Sequence, residues 1–434
     1  MIKRQKSQKE NEISVLFETS SFIGLPNIYR TNSTLIRLVW ILSMIGSIAY
    51  CSYTIVSMVL EYLNYETLVS IQFVDDYEME FPAITICNLN TVDLSNRTVL
   101  NAFKEYLKSS FNDEGDFLAL TEHTAAPNGW INPDICRRQQ QDFMKMKSIY
   151  EYGFSLDKML ISCSFDADTC SRDEFIATRS LIYNACYTFN KGKNASQVRA
   201  AKRPGIVSGL KMELFVGAPE YCPCWSPLQG ILLVIHNRTM NPQFSEDGIR
   251  LATGVENNIM LNKISIEKLD KPYSDCVKNT SSNESLVSAY ALQSFRTYGT
   301  YSQKYCILDC ALQKTTEENL IKCAIYTNQT KPTYGECVQN SASLNRFYKP
   351  CLDYCPRECV TTSFEIQSSV SKYPSLSRAQ LYLNSSRIMR KFPYANVSLE
   401  QLERSILSLN VYFATSRYQK VIESPAISSS TLLA

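Results

Sequence analysis

The residues best placed to do chemistry are cysteines, 16 of them in a chain of 434, and only Cys51 precedes residue 87. Cys306 and Cys310 are four apart, so on a helix they share one face. Downstream, Cys351, Cys355 and Cys359 repeat that step. Two antiparallel segments marked in this way line up as rungs, Cys306 with Cys355 and Cys310 with Cys351, which leaves Cys359 for Cys276 and Cys323 for Cys337. Each rung would contribute about 2 to 4 kcal/mol. Cys163 and Cys170 are seven apart and suit a bridge across a local hairpin, whereas Cys222 and Cys224 are too close to bridge each other without strain. The competing chemistry is a zinc site, which needs reduced thiolates in pairs usually two or so apart.

The compartment decides between these chemistries. Asn-x-Ser/Thr acceptors stand at Asn96, Asn194, Asn237, Asn279, Asn283, Asn328, Asn384 and Asn396, throughout the cysteine-bearing part of the chain. Glycan acceptors and abundant cysteine both belong to an oxidising exterior, where thiols pair. Fifteen cysteines in that region are an odd number, so at least one stays unpaired or bonds another chain.

The catalytic inventory is thin. The two histidines, His123 and His236, lie in no metal or triad motif, and the chain has no Gly-x-Ser-x-Gly, phosphate-cradling glycine loop or His-Glu-x-x-His. No cofactor or metal is called for, and an extracellular hydrolase is the weakest reading. A net charge of +2 without a basic patch gives no reason to expect nucleic acid.

The element that must carry this cysteine-rich part is Leu38 to Leu60, a run without a single charge. As a helix it is roughly 35 Å long, enough to cross a hydrocarbon layer of about 30 Å. A cleaved secretory signal is the alternative, but the run is too long, starts late and lacks a small-residue cleavage site. Lys3, Arg4, Lys6, Lys9, Arg30 and Arg37 precede it, and Glu61, Glu66, Asp75 and Asp76 follow, so residues 1–37 are expected in the cytoplasm and the rest outside. A further acceptor, Asn32, then faces the cytoplasm and stays silent. Ser43, Gly46, Ser47 and Ala49 either admit a second helix or face lipid.

Beyond the span, Tyr65 to Ile86 alternates apolar and polar residues and reads as strands, ending in Phe81-Pro82-Ala83-Ile84-Thr85-Ile86-Cys87-Asn88. Asp75, Asp76, Glu78 and Glu80 follow closely on the span; they either attract cations or form an ordinary solvated run. Val99 to Phe111 and Gln139 to Tyr152 read as helices, and Met212 to Val216, Ile231 to His236, Ile259 to Ile266 and Leu407 to Phe413 as strands.

Together these features resemble the degenerin and epithelial sodium channel family, which includes acid-sensing and peptide-gated channels. Phe81 to Asn88 is like its Phe-Pro-Ala-x-Thr-x-Cys-Asn segment, the Cys306 to Cys359 array looks like its thumb disulfides, and Leu409-Asn410-Val411-Tyr412-Phe413 with Tyr418 resembles its last strand. The resemblance implies an α+β membrane protein: an N-terminal transmembrane helix bearing a disulfide-rich extracellular domain, 61–427, likened to a hand. It would place the palm at 65–90 and 360–420, the finger at 95–190, part of the ball near 205–265 and the thumb at 276–359. By the same likeness Cys87 bonds Cys186 and Cys163 bonds Cys170, while Cys136, Cys222 and Cys224 have no assured place. Three such subunits surround a sodium-conducting, amiloride-sensitive pore in the plasma membrane lipid. Tyr65 matches an aromatic at the top of the first span that meets one at the base of the thumb, for which Tyr273 is the candidate.

Three departures shape the functional expectation. The family's cytoplasmic His-Gly pair, which affects gating, appears as Ile23-Gly24. Where acid-sensing members carry a histidine pair just past the span, this chain has Glu66-Thr67, which removes the group that titrates at mildly acid pH. A peptide or other extracellular ligand, or force, is therefore expected rather than protons. The chain also ends where a second span is expected to begin, at 428–434, so the family's Gly-x-Ser filter lies outside it. The alternative is a single-span regulatory or receptor-like isoform that joins full-length subunits.

Overall fold

The computed structural model describes residues 24–93, 96–99, 101–102, 152–180, 183–192, 198–217, 228–244, 246–327, 344–392 and 396–427. Cys136, Cys222, Cys224, Cys337, His123, Asn194, Asn328 and nearly all of the two helices expected before residue 152 lie outside these, as does the side chain of Cys323. The described residues divide into two compact units at Val69/Ser70 and Ile422/Glu423.

In the first unit a short helix, α1 (Gly24–Arg30), precedes α2 (Thr34–Leu63). The second helix runs past the uncharged stretch at both ends and takes in Arg37 and Glu61, because backbone hydrogen bonding continues while side chains turn polar at the interface. Among the described residues it is the one helix long and apolar enough to cross a membrane.

Two sheets and a helical subdomain follow. The larger sheet has the order β1 (Thr67–Asp75), β15 (Arg417–Pro425), β12 (Val255–Glu267), β14 (Ile406–Phe413), β9 (Leu210–Phe215), β4 (Leu160–Phe165) and β5 (Asp168–Thr169), with β13 (Val360–Lys372) also on β12. β12 organises it: β13 pairs antiparallel along its whole length, β14 pairs parallel to Glu256–Leu261, and β15 pairs parallel to Ile264–Glu267. The second sheet has the order β11 (Gly248–Leu251), β10 (Ile231–His236), β3 (Ala83–Asn88), β7 (Asn184–Phe189) and β6 (Phe175–Ser180). A two-stranded pair, β2 (Met79–Glu80) with β8 (Ala200–Ala201), lies apart from both sheets.

β3 is buried at every position because it is the middle strand with both faces covered. Ile84 and Ile86 enter the main core, while Cys87 joins a smaller cluster with Leu232 and Val234 on the opposite face. Phe81 is fully buried. It packs edge-on against Phe165 at 5.0 Å and Phe413 at 5.8 Å, so the residue that opens the motif joins β4 and β14 through the core. Each such side chain stabilises the fold by about 2 to 3 kcal/mol through burial.

The helical subdomain comprises α3 (Ala289–Tyr298), α4 (Gln303–Thr327) and α5 (Leu344–Leu352). Ser288 caps α3 by accepting from the Ala291 amide, and Gly299, at φ 74°, ends it in the left-handed conformation that glycine adopts without strain. Cys306 and Cys310 lie one turn apart on α4 and bond Cys355 and Cys351. The second rail is not one helix: α5 stops at Leu352, and Cys355 sits in the turn before Pro356, which cannot continue a helix. Cys276 bonds Cys359 where Val277 forms an isolated bridge with Glu358, tying together the segments that enter and leave the helical subdomain. Cys163 bonds Cys170 across the β4–β5 hairpin, and Cys87 bonds its register partner Cys186 across β3 and β7.

Candidate functional site: the strands that follow the span

β1 starts at Thr67, just after α2 ends at Leu63, so contacts made by β1 act on the chain where it leaves the span. Within the first unit the Ala426 amide donates to the Glu66 carbonyl at 2.9 Å and Ser424 Oγ to the Leu68 carbonyl at 3.4 Å. Within the second, the Asp76 amide donates to the Ser416 carbonyl at 2.8 Å, and Arg417 donates from Nε and Nη2 to the two carboxylate oxygens of Asp75 at 3.0 and 3.4 Å. Lys420 pairs with Glu267 at 2.8 Å, and Lys263 lies 4.8 Å over the Tyr418 ring, so β15 is also held to β12 by charge. Beside these strands a cavity of about 490 Å³ is lined by Phe73, Asp75, Lys263, Glu365 and Arg417, two carboxylates and two cations around an aromatic wall.

The acidic run after the span is not a bare anionic collar. Asp75 is taken by Arg417, Glu80 by Arg238 at 2.6 Å, and Asp76 accepts from the Glu78 amide. Nothing local in the sequence points to Arg417, which is 342 residues from its partner.

The motif strand carries a second polar relay. Thr85 Oγ1 lies 2.8 Å from both His236 Nε2 and Thr188 Oγ1, and His236 Nδ1 lies 2.9 Å from the Asn237 carbonyl. A carbonyl only accepts, so Nδ1 carries the proton and Nε2 accepts from Thr85. Burial is the main reason that the imidazole is driven down to about 4, with the Lys191 ammonium adding to it. His236 is therefore neutral and structural, packed among strands rather than poised to titrate near neutrality.

A buried carboxylate, Glu213 on β9, joins distant segments in the same way. It accepts from Ser162 Oγ at 2.7 Å, Tyr373 Oη at 2.8 Å and Arg378 Nη2 at 2.8 Å. Arg378 lies on α6 (Leu376–Leu383), where it also donates to Tyr382. Burial alone would raise this carboxyl, but the hydrogen bonds from Ser162, Tyr382, Tyr373 and Arg378 prevail and hold it below the ordinary range.

The remaining candidate residues are placed as follows. Gly24 opens α1. Tyr65 is half-buried at φ 52°, its ring 6.3 Å from that of Tyr62, and Tyr273 is half-buried just after the cis Lys271–Pro272 bond. The two tyrosines belong to different units. Asn96, Asn279, Asn283, Asn384 and Asn396 are exposed, and Asn237 is half-buried. In Asn96, Asn237 and Asn279 the side-chain oxygen accepts from the backbone amide two residues on, the turn that presents an acceptor in a loop. No group of histidine, cysteine or carboxylate side chains suited to a metal ion occurs among the described residues.

A membrane-crossing helix followed by a β-rich, disulfide-braced domain is the architecture that these elements define. A family model described as amiloride-sensitive sodium channel matches residues 16–434, and the chain belongs to that family. It is 25% identical to the bile acid-sensitive ion channel of Homo sapiens, over 96% of this chain and 79% of that one. It is 24% identical to acid-sensing ion channel 1 of Gallus gallus, over 97% and 78%. The alpha subunit of the epithelial sodium channel of Cavia porcellus is 27% identical over 64% of this chain and 40% of that one. The family is one of ion channels, not of enzymes.

Proposed function

We propose that this chain is a subunit of a sodium-selective, amiloride-sensitive cation channel of the plasma membrane, assembled with two further subunits of the same family. Its N-terminus lies in the cytoplasm and its β-rich part outside, bearing glycans at the exposed acceptors. The observation that carries the assembly is β1, on which Leu68, Val69, Ile71 and Phe73 form an uncovered apolar run shortly after a membrane-length helix. Such a strand requires a neighbour, and other copies around a common axis supply one. In this reading 65–90 and 360–420 form the palm, 95–190 the finger and 276–359 the thumb, with Tyr65 and Tyr273 as gating residues.

The stimulus in this reading is an extracellular ligand, such as a peptide, rather than protons. Glu66-Thr67 supplies no imidazole beyond the span, and His236 is held neutral by burial, which supports that choice. Expression of the full-length protein, alone and with other subunits of the family, followed by voltage clamp, tests it. An amiloride-blocked sodium current that ignores a step to about pH 6 is expected; a large transient acid current overturns ligand gating, and the absence of any amiloride-blocked current overturns the conducting role.

A further inference from the structure

α1 and the start of α2 are joined by a side chain placed against electrostatic preference. Arg37 is in the first turn of α2, where the unsatisfied amides make a cation unfavourable. Its guanidinium turns away from that end: Nε donates to the Ile28 carbonyl and Nη2 to the Thr31 carbonyl, both at 3.0 Å. Those carbonyls belong to the C-terminal end of α1 and the residue just past it, where the helix dipole is negative and carbonyls have no helical donor. Thr31 Oγ1 adds a bond to the Asn27 carbonyl at 2.6 Å. One planar fork thus stops α1 and closes the short turn, Thr31–Ser33, that leads the chain into α2. The site borders the uncharged run that begins at Leu38.

We propose that Arg37 is a positioning residue: it holds α1 against the start of α2 and so fixes where Gly24, the first residue of α1, stands relative to the span. This rests on the channel reading for its consequence, a change in open probability, but not for its geometry. Lysine would keep the charge that orients the span yet lacks the two-pronged fork, so it is not an equivalent.

The test uses the full chain in lipid nanodiscs, with spin labels carried by p-acetylphenylalanine placed at positions 25 and 53, so that no cysteine takes the label, and the distance distribution read by double electron–electron resonance. A narrow distribution is expected with Arg37, one at least twofold broader with Arg37→Gln, and an intermediate one with Arg37→Lys. Should Arg37→Gln fail to insert, Arg37→Lys decides alone; a width unchanged in the inserted variants overturns the proposal. In assembled channels Arg37→Lys is expected to shift open probability, and an unchanged value beside a broadened distribution overturns the gating consequence. Absence of current with Arg37 in place counts against the channel reading alone, because the spin labels report on α1 with or without conduction.

Discussion

Arg417, the first residue of β15, grips Asp75, the last residue of β1, with one guanidinium nitrogen on each carboxylate oxygen. Because β15 is parallel to β12 and β1 lies on its other side, this pair fastens the strand that leaves the span to the centre of the sheet. Both side chains are about half-exposed, so the contribution is screened by salt and is expected in gating rather than in stability. Asp75→Asn and Arg417→Gln should shift open probability in the same direction, and the double variant should shift it no further than either alone. Exchanging the two residues should restore most of the original response. Additive single effects in current recordings would show that the pair does not act as a unit.

His236 predicts a pH dependence of stability. Its folded value is about 4 against 6.5 for the free side chain, so the fold favours the neutral imidazole. The stabilisation is complete above about pH 6.5 and is lost as pH falls toward 4, by about 3 kcal/mol in total. Thermal melts of the detergent-solubilised chain between about pH 4 and 7.5 check this: His236→Gln should flatten the slope in that window. Thr85→Val, which leaves Nε2 buried without its donor, should cost about 1 to 3 kcal/mol near neutral pH.

The Glu213 cluster shows the same direction of pH dependence in a lower window. The folded carboxyl lies below its free value, so its contribution is present above the ordinary carboxylate range and vanishes as pH falls through it. Arg378→Met keeps the apolar stem but strands a carboxylate that is almost fully enclosed. The Arg378 side chain is about half-exposed, and the loss discounted for that exposure is about 2 kcal/mol. Urea unfolding measures it, and a loss of only a few tenths would mean that solvent already shares the charge.

What was legible in the sequence is what depends on local period. An uncharged run becomes α2, a step of four places Cys306 and Cys310 on one face of α4, and a β-branched run becomes β3. The rest turns on meetings between segments whose order local pattern does not encode. Glu213 and Arg378 are 165 residues apart, His236 and Thr85 are 151, and neither pair shares a motif. The alternation along Leu68 to Phe73 reads as a strand, and Leu68 to Phe73 of β1 are exposed on both faces in the single chain, since period alone does not say whether a covering surface belongs to the same molecule. Pro356 could have warned that Cys351, Cys355 and Cys359, although evenly spaced, do not share one helix.

The two rungs between α4 and its partner segment predict a cooperative loss. Cys306–Cys355 and Cys310–Cys351 close loops of 49 and 41 residues. Either alone limits the unfolded chain by about 4 kcal/mol in the loop-entropy estimate. With one in place the other closes only the few residues between neighbouring rungs, for which the same estimate gives about 3 kcal/mol. Removing one rung therefore exposes only the smaller term, because its neighbour still closes the long loop, whereas removing both adds the larger. Alanine at both ends of a rung avoids a stray thiol, and it avoids burying a serine hydroxyl among cysteines that are fully enclosed. Urea unfolding of the two single-rung variants should show losses of about 3 kcal/mol each, and the four-fold alanine variant about 7 kcal/mol, more than their sum. A four-fold loss equal to one rung's would mean that the buried contacts of Tyr301 and Ile307, rather than the sulfurs, keep α4 on its partner.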